Sequence, residues 1–515
     1  MGTECTPSST TSVTDVEVAE KAHAVKEQGC DVEAAETAKE AEEAKQAANL
    51  ITWNGPDDPE NPQNYSVPYK VFITSIWIYG NLCSTLASSI WSSGAAQVKA
   101  EFRTETIVVT LGISLFLLGF SVGPPLWGPM SERFGRKWPM TVGMFLFTLF
   151  TIAVAVGKNL ETLLVARFFQ GAFGAAPLSL AAGGVVDIWS PAVRGIAIAA
   201  CIGTIFGSPV LAPIIGNFVA ASYLGWRWLH WLSAIMGGSA VVLVLVALPE
   251  TLAPKILQAR AAKLRKSGEK PEAMTVYDSK KHMGVMDVAR VYFMRPFQLL
   301  ATEPILIFVT IYQAFIYGIL YLVFVSYPIE YVEVRHWSQG LSALPFLGLS
   351  VGVLLGAAGV IWHTKTKFAA MVAANGGHAI PEQRLPTMIV GGCIVPVGLF
   401  IFAWTSRPSI PWPGQVIGSI PTGAGMYMIF VQCFNYIIDV YAPIANSALG
   451  GNMFIRSAFA AAFPLFGPYL YHNLGVSWAT SLLGFISIAL IPIPVAFYIF
   501  GRRIRSWSKN TVSST

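Results

Sequence analysis

Two five-residue words in the chain have the spacing of a catalytic motif: GFSVG at residues 119–123 and GLSVG at residues 348–352 both fit G-x-S-x-G. In hydrolases that pattern sets a nucleophilic serine on a sharp strand-to-helix turn, with a histidine and an acid nearby. Here both copies lie inside apolar runs of helical character. Nucleophilic catalysis is therefore rejected, and no enzyme activity, resident metal or cofactor is expected.

A denser concentration of chemistry is GPMSERFGRKWPM, residues 128–140, which packs Glu132, Arg133, Arg136 and Lys137 into six positions between two apolar runs. Ion pairing is the chemistry such a word supports. Its three cations hold a short loop on the cytoplasmic side, and Gly128 and Gly135 permit close backbone approach. Arg133 or Arg136 is expected to pair with Asp187 in a gating latch, with Glu132 facing the start of the eleventh apolar run.

The third pattern is polar residues at helical spacing inside apolar runs. Asn81, Ser84, Thr85, Ser88 and Ser92 share one face, as do Arg167 and Gln170 with Gly171 and Gly174. Gln313, Tyr317 and Tyr321 form a third stripe, and Gln432, Asn435, Tyr436 and Asp439 a fourth. Such faces either line a water-filled cavity or, for the hydroxyl groups, glue helices together. An arginine near the centre of a span costs about 3 kcal/mol on insertion scales, so Arg167 needs a compensating role, either gating or carbonyl binding. Arg456, among small residues in NMFIRSAFAAAFP, is open to both readings. No acid falls deep in a run, which leaves Asp187, Glu303 and Asp439 as candidate proton-linked groups. For Glu303 the alternative is an ordinary helix start, with Thr302 as cap and Pro304 in the first turn.

What must position these residues is a set of membrane helices. The 515 residues are 54% hydrophobic and 12% charged, with mean hydropathy +0.54, against roughly 25% charged for a soluble domain. Runs of the ~20 residues needed to cross a bilayer occur at 69–92, 106–130, 138–157, 160–188, 194–221, 226–249, 303–327, 339–362, 386–404, 413–439, 444–471 and 476–500. The fold class is therefore all-α integral membrane, with twelve spans. The four stripes fall on spans 1, 4, 7 and 10, the first of each successive group of three.

Twenty-six of the 34 Lys and Arg fall on the side of the two termini, six on the other, and Arg167 and Arg456 within spans. By the positive-inside rule both termini are cytoplasmic. Residues 1–66 read as a disordered acidic arm, with eleven acids against four lysines in the first 50 and no apolar stripe. No signal peptide is expected, and the sequon at Asn64 should stay unmodified. Four of the six cysteines lie in spans and two in the arm, which is no disulfide framework.

At an offset of 229 residues LGFSVGPPLW aligns with LGLSVGVLLG, in spans 2 and 8. The chain thus reads as two related six-helix bundles, 67–249 and 303–500, joined by a basic connector at 250–302 and followed by a tail at 501–515. The connector word KILQARAAKLRKSGEK is either an amphipathic membrane-surface helix or a solvated linker. At the same offset Lys365 stands where Arg136 does, whereas Ile361 and Thr364 replace Glu132 and Gly135. The latch is therefore expected to be asymmetric.

Four words carry a resemblance to the major facilitator superfamily, in its twelve-span drug:proton antiporter branch common in fungi. GPMSERFGRK resembles the family's loop between helices 2 and 3, RFFQGAFGA its helix 4 signature, PETLAP (249–254) its exit from helix 6, and WNGPDDPENPQNYS its approach to helix 1. The antiporter signature of helix 5 resembles G-P-x-x-G-G; here Ala212 precedes Pro213 and Asn217 follows Gly216, although Gly207, Pro209, Pro213 and Gly216 retain the means to kink and pack closely. The resemblance implies alternating access of two halves around a mid-membrane site. It implies export of a drug, toxin, polyamine or secondary metabolite against protons, by a monomer in the plasma membrane or an endomembrane. The partners expected are a small-molecule substrate, protons and the bilayer, with no nucleic acid. The alternatives are a nutrient or organic-acid importer of the same fold, and a non-transporting receptor signalling through arm and connector.

Overall fold

The computed structural model describes residues 49–278, 294–376, 380–441 and 444–508. The expectations for residues 1–48, for 279–293 of the connector and for the tail beyond 508 lie outside the described residues. The chain divides into two compact units: residues 1–56 with 256–281, and residues 57–255 with 282–515.

In the larger unit, eleven helices among the described residues are long and apolar enough to cross a membrane. Spans 1 to 3 are Val67–Phe102, Thr106–Phe134 and Lys137–Val156; span 4 is Leu160–Gly174 continued as Ala176–Ile188; spans 5 and 6 are Pro191–Ala221 and Arg227–Ala247. Span 7 is Pro304–Pro328, running on as a π-turn over Ile329–Val334. Spans 8 to 10 are Phe346–His363, Leu385–Thr405 and Pro413–Val440. The last apolar stretch, residues 447–505, is 59 residues long, about 90 Å of helix against a hydrocarbon core of about 30 Å. Gly475 breaks it with φ 72° and ψ 162°, a left-handed backbone that favours glycine. Span 11 therefore ends at Gly475 and span 12 begins there, which restores the expected twelve crossings.

The false catalytic motif has a packing explanation. A Cβ on Gly119 or Gly171 would strike the backbone carbonyl of Phe168 or Phe116 respectively, so spans 2 and 4 meet backbone to backbone. Spans 8 and 10 meet in the same way, through Gly352 against the Ile420 carbonyl and Gly423 against that of Leu349. Small residues at such crossings are how membrane helices gain contact without a hydrophobic driving force. The two motif serines only return to their own helices, Ser121 Oγ to the Leu118 carbonyl (2.7 Å) and Ser350 Oγ to that of Phe346 (3.1 Å). The duplicated word is thus a pair of helix crossings, one per half.

Span 5 carries Pro209 and Pro213 internally. Pro213 lacks the N–H that would serve the Pro209 carbonyl, and Ser89 Oγ of span 1 donates to that carbonyl instead (2.9 Å). The Gly216 backbone sits on Ser93 and Ile90 of the same span, whereas Gly207 has open space where a side chain would be.

The smaller unit shows that order begins before residue 67, contrary to an arm disordered throughout. Leu50 and Met274 form a parallel bridge, with Ile51 N–H donating to the Met274 carbonyl (2.7 Å) and Met274 N–H to that of Asn49 (2.9 Å). Helix Ala253–Ser267 turns Leu257, Ala261 and Leu264 towards Ile51, Trp53 and Ala273. The apolar stripe of the connector is therefore covered by the chain itself, which favours neither sequence alternative. At the start of the larger unit a 3-10 turn, Pro62–Asn64, capped by Asn61, leads into span 1.

Candidate functional site

The centre of the larger unit is a buried polar band, and its two halves treat their buried arginines differently. Arg167, in span 4, is fully buried. Its Nε donates to the Gly112 carbonyl (2.9 Å), Nη1 to the Ala87 carbonyl and Gln170 Oε1 (2.9 Å each), and Nη2 to the Ser88 carbonyl (3.1 Å). Gln170 is fixed in turn by donating to Thr151 Oγ1 of span 3 (2.8 Å). The guanidinium also lies against the Phe116 and Trp91 rings, 4.6 and 5.3 Å from their centroids. Arg167 thus ties spans 1, 2 and 4 together.

Arg456, in span 11, is equally buried, but Nε, Nη1 and Nη2 have no hydrogen-bond partner. Its guanidinium lies 4.8 Å from the Tyr317 ring and 4.5 Å from that of Phe430. The same half leaves further buried polar atoms unpaired, among them both amide atoms of Gln432, Oε1 of Gln313, the Tyr436 hydroxyl, Oδ1 of Asn452 and Oγ of Ser457. Asn452, one turn before Arg456, donates only to Thr310 Oγ1 (3.0 Å).

Of the fourteen polar stripe residues expected from the sequence, twelve are buried and Ser92 and Asp439 are half-buried. Ser88 and Tyr321 join the halves directly by a hydroxyl–hydroxyl hydrogen bond (2.9 Å), and Tyr321 reaches Tyr317 at 3.4 Å. Ser84 bonds to the Gly174 carbonyl, and Thr85 Oγ1 to the Asn81 and Thr204 carbonyls (2.6 and 3.2 Å). These hydroxyl groups therefore serve as helix glue as well as lining the centre. Asn81, by contrast, has both amide atoms unpaired.

At the end of the bundle where span 1 starts, the charged word is mostly helical, with the last turns of span 2 through Phe134, the first turn of span 3 from Lys137, and only Gly135 and Arg136 between them. Gly135 has φ 87°, and the Glu250 carboxylate fills the space beside it, accepting from Arg136 N–H (2.8 Å) and Lys137 N–H (3.3 Å). The Arg136 side chain pairs with Asp187 (2.9 Å) and donates to Ser131 Oγ (2.8 Å). Arg133 is exposed and lies over the Phe134 ring at 5.7 Å; Glu132 is half-buried and Gly128 has open space beside it. The Arg136–Asp187 pair lies within one half, not between halves. Nor is it asymmetric: Arg384 pairs with Asp439 (3.0 Å) and Arg505 with Glu382 (3.0 Å) in the second half, while Lys365, the counterpart expected from the offset, is exposed. Linear alignment missed this because the second cation comes from the start of span 9 and not from the loop after span 8. Glu303 caps span 7 without a side-chain cap bond, and accepts from the Tyr441 hydroxyl (3.2 Å) and from Ser508. Thr302 is not the cap; its hydroxyl returns to the Gln298 carbonyl (2.8 Å).

At the opposite end a cavity of about 360 Å³ lies between the halves, its lining including Trp91, Lys99, Asn217, Glu333, Gln339 and His472. Gln339 donates across it to the Ser93 carbonyl (2.7 Å), and His472 meets Glu333 at 2.8 Å with both side chains about half exposed.

The major facilitator superfamily model matches residues 77–405. The chain belongs to that superfamily. It is 64% identical to the MFS-type transporter oryN of Aspergillus oryzae, over 90% of each chain. It is 47% identical to the citrinin biosynthesis cluster MFS transporter mrr1 of Monascus ruber, covering 89% of this chain and 92% of that one. Among solved structures it is similar to a major facilitator superfamily proton:xylose symporter bound to 6-bromo-6-deoxy-D-glucose, with TM-score 0.62, 16% identity, and coverage of 84% and 97%. At that identity the likeness concerns the fold.

Glu330 is fully buried just beyond the far end of span 7, held by Arg335 Nε (2.9 Å) and Gln415 Nε2 (2.6 Å), a buried acid that the sequence reading did not single out. It escaped because Tyr327-Pro328 reads as the end of the helix, whereas the chain continues as a π-turn. Arg384, Glu250 and Asn452 were likewise missed. For Asn452 the signal was present, since it stands four residues before Arg456 on the same helical face.

Proposed function

We propose that this superfamily member is a proton-coupled exporter of a small organic compound, working by alternating access. One observation carries the reading: a polar band, buried in both halves and bridged by Ser88 and Tyr321, lies at the centre of two bundles with a cavity between them at the end opposite the start of span 1. Separation of the halves on the opposite side would open the band to the other compartment. Asn81, Ser84, Thr85, Ser88, Arg167, Gln170, Gln313, Tyr317, Tyr321, Gln432, Asn435 and Tyr436 line or brace that route. The charge lattices around Arg136 and Arg384 gate the end where span 1 starts.

The bias of Lys and Arg makes that end cytoplasmic, so the cavity faces outward. A relative named for a citrinin biosynthesis cluster supports a secondary metabolite made inside the cell as cargo. Each proton entering down 100 mV contributes about 2.3 kcal/mol, enough for roughly 50-fold accumulation of a neutral solute at 1:1 coupling. A growth-inhibition panel with and without the protein selects a transported compound, and inside-out vesicles then read its uptake. An acidic lumen should accelerate uptake several-fold. Uptake that ignores the gradient overturns proton coupling, and a panel with no protected compound overturns export.

A further inference from the structure

We infer that the cargo is an organic anion, and that Arg456 is the group that binds its carboxylate. The inference rests on the transport reading above and names the substrate class of the same central site. A fully buried cation normally has its donors satisfied, as Arg167 does. Arg456 has three unpaired nitrogens, and no carboxylate among the described residues forms an ion pair with it. The titratable groups whose charge bears on it are Tyr317, Tyr321 and Cys433, all neutral at ordinary pH. A planar guanidinium matches a carboxylate as a two-pronged fork, which a neutral or cationic solute does not supply.

The surroundings specify more than charge. Tyr317 and Phe430 lie against the guanidinium, and an aromatic contact of that kind holds its plane while leaving its N–H edge for a ligand. Phe430 is itself covered by Phe206 of the first half, edge to face at 4.7 Å, and Phe206 also meets Tyr317 at 6.4 Å. Phe206 thus closes the cage from the opposite half. Rocking that separates span 5 from spans 7 and 10 withdraws it, exposing charge and rings together. The class of ligand that fits is an aromatic or conjugated ring carrying a carboxylate, with Gln313, Gln432 and Asn452 offering unpaired amide atoms in the same half.

Equilibrium dialysis of the purified full-length protein against 2-naphthoate, 2-naphthamide and 2-naphthylmethylamine tests this, because the three share a ring and differ in charge. The carboxylate should bind at least about tenfold tighter than the amide, a step of ~1.4 kcal/mol, and the amine more weakly still. Arg456→Gln should reduce the carboxylate-to-amide ratio to near unity, and Arg456→Lys, which keeps charge but loses the fork, should leave an intermediate ratio. Each ratio is taken within one variant, so a smaller folded fraction does not distort it. Equal binding of the three probes by the wild type, binding of none, or an unchanged ratio in Arg456→Gln overturns the inference. The pH-gradient uptake experiment makes no use of these probes, so the transport reading can stand where the anion assignment falls.

Discussion

Each half of the molecule buries one arginine completely, and the two have opposite surroundings. Arg167 has four acceptors within 3.1 Å; Arg456 has two aromatic rings and no acceptor. Both meet the same cost of leaving water, and only one is compensated within the protein. The difference divides the duplicated scaffold: one half locks three helices with its cation, whereas the other leaves its cation against two rings without an acceptor, as the anion site proposed above requires.

The scaffold beneath that difference is symmetric, and the largest expected effect tests it. Leucine at Gly119 or at Gly352 would drive a side chain into a facing backbone carbonyl, and overpacking of that kind costs at least ~1–3 kcal/mol. Both variants should lose most of their folded yield by size-exclusion chromatography, while Gly207→Leu, which has open space, should not. Loss in one half alone would break the symmetry of the crossings.

The next effect is on the charge pairs at the end where span 1 starts. Arg136→Ala and Arg384→Ala each remove one partner of a mostly buried pair, at a cost of about 2 kcal/mol after allowance for solvent. Both should impair transport several-fold with membrane insertion intact, as should Asp187→Ala. A defect confined to Arg136 would restore the asymmetric latch that the sequence alone implied, and normal flux in all three would leave only topology for the loop's cations.

A smaller effect sharpens the contact between halves. Tyr321→Phe removes the hydrogen bond to Ser88, worth about 1 kcal/mol, and leaves the rings in place. It should shift the conformational equilibrium towards separated halves by up to about fivefold, read as faster labelling of a cysteine introduced at Ser92. Unchanged labelling would remove Ser88–Tyr321 from the closure.

The twelve spans, the two halves and the burial of most of the stripe residues were legible in the sequence, because hydropathy and helical spacing report directly on what faces lipid and what faces the bundle. The pairing of each polar group was not legible. Arg167 and Arg456 are both lone cations in apolar runs, and only the crossing of spans 1, 2 and 4 supplies carbonyls to the first. The Arg384–Asp439 pair was hidden because its members lie 55 residues apart on spans whose ends meet only in the fold. Glu330 was hidden by a proline that reads as a stop.

The most direct test of the contrast is thermal unfolding of Arg167→Met and Arg456→Met in the same detergent. Methionine in place of Arg167 forfeits four charge-assisted hydrogen bonds, whereas in place of Arg456 it removes an unpaired buried charge. The expected result is a melting temperature well below wild type for Arg167→Met and equal to or above wild type for Arg456→Met, a separation of about 3 kcal/mol. Equal losses in the two variants would contradict it, because Arg456 would then be holding the fold together as Arg167 does.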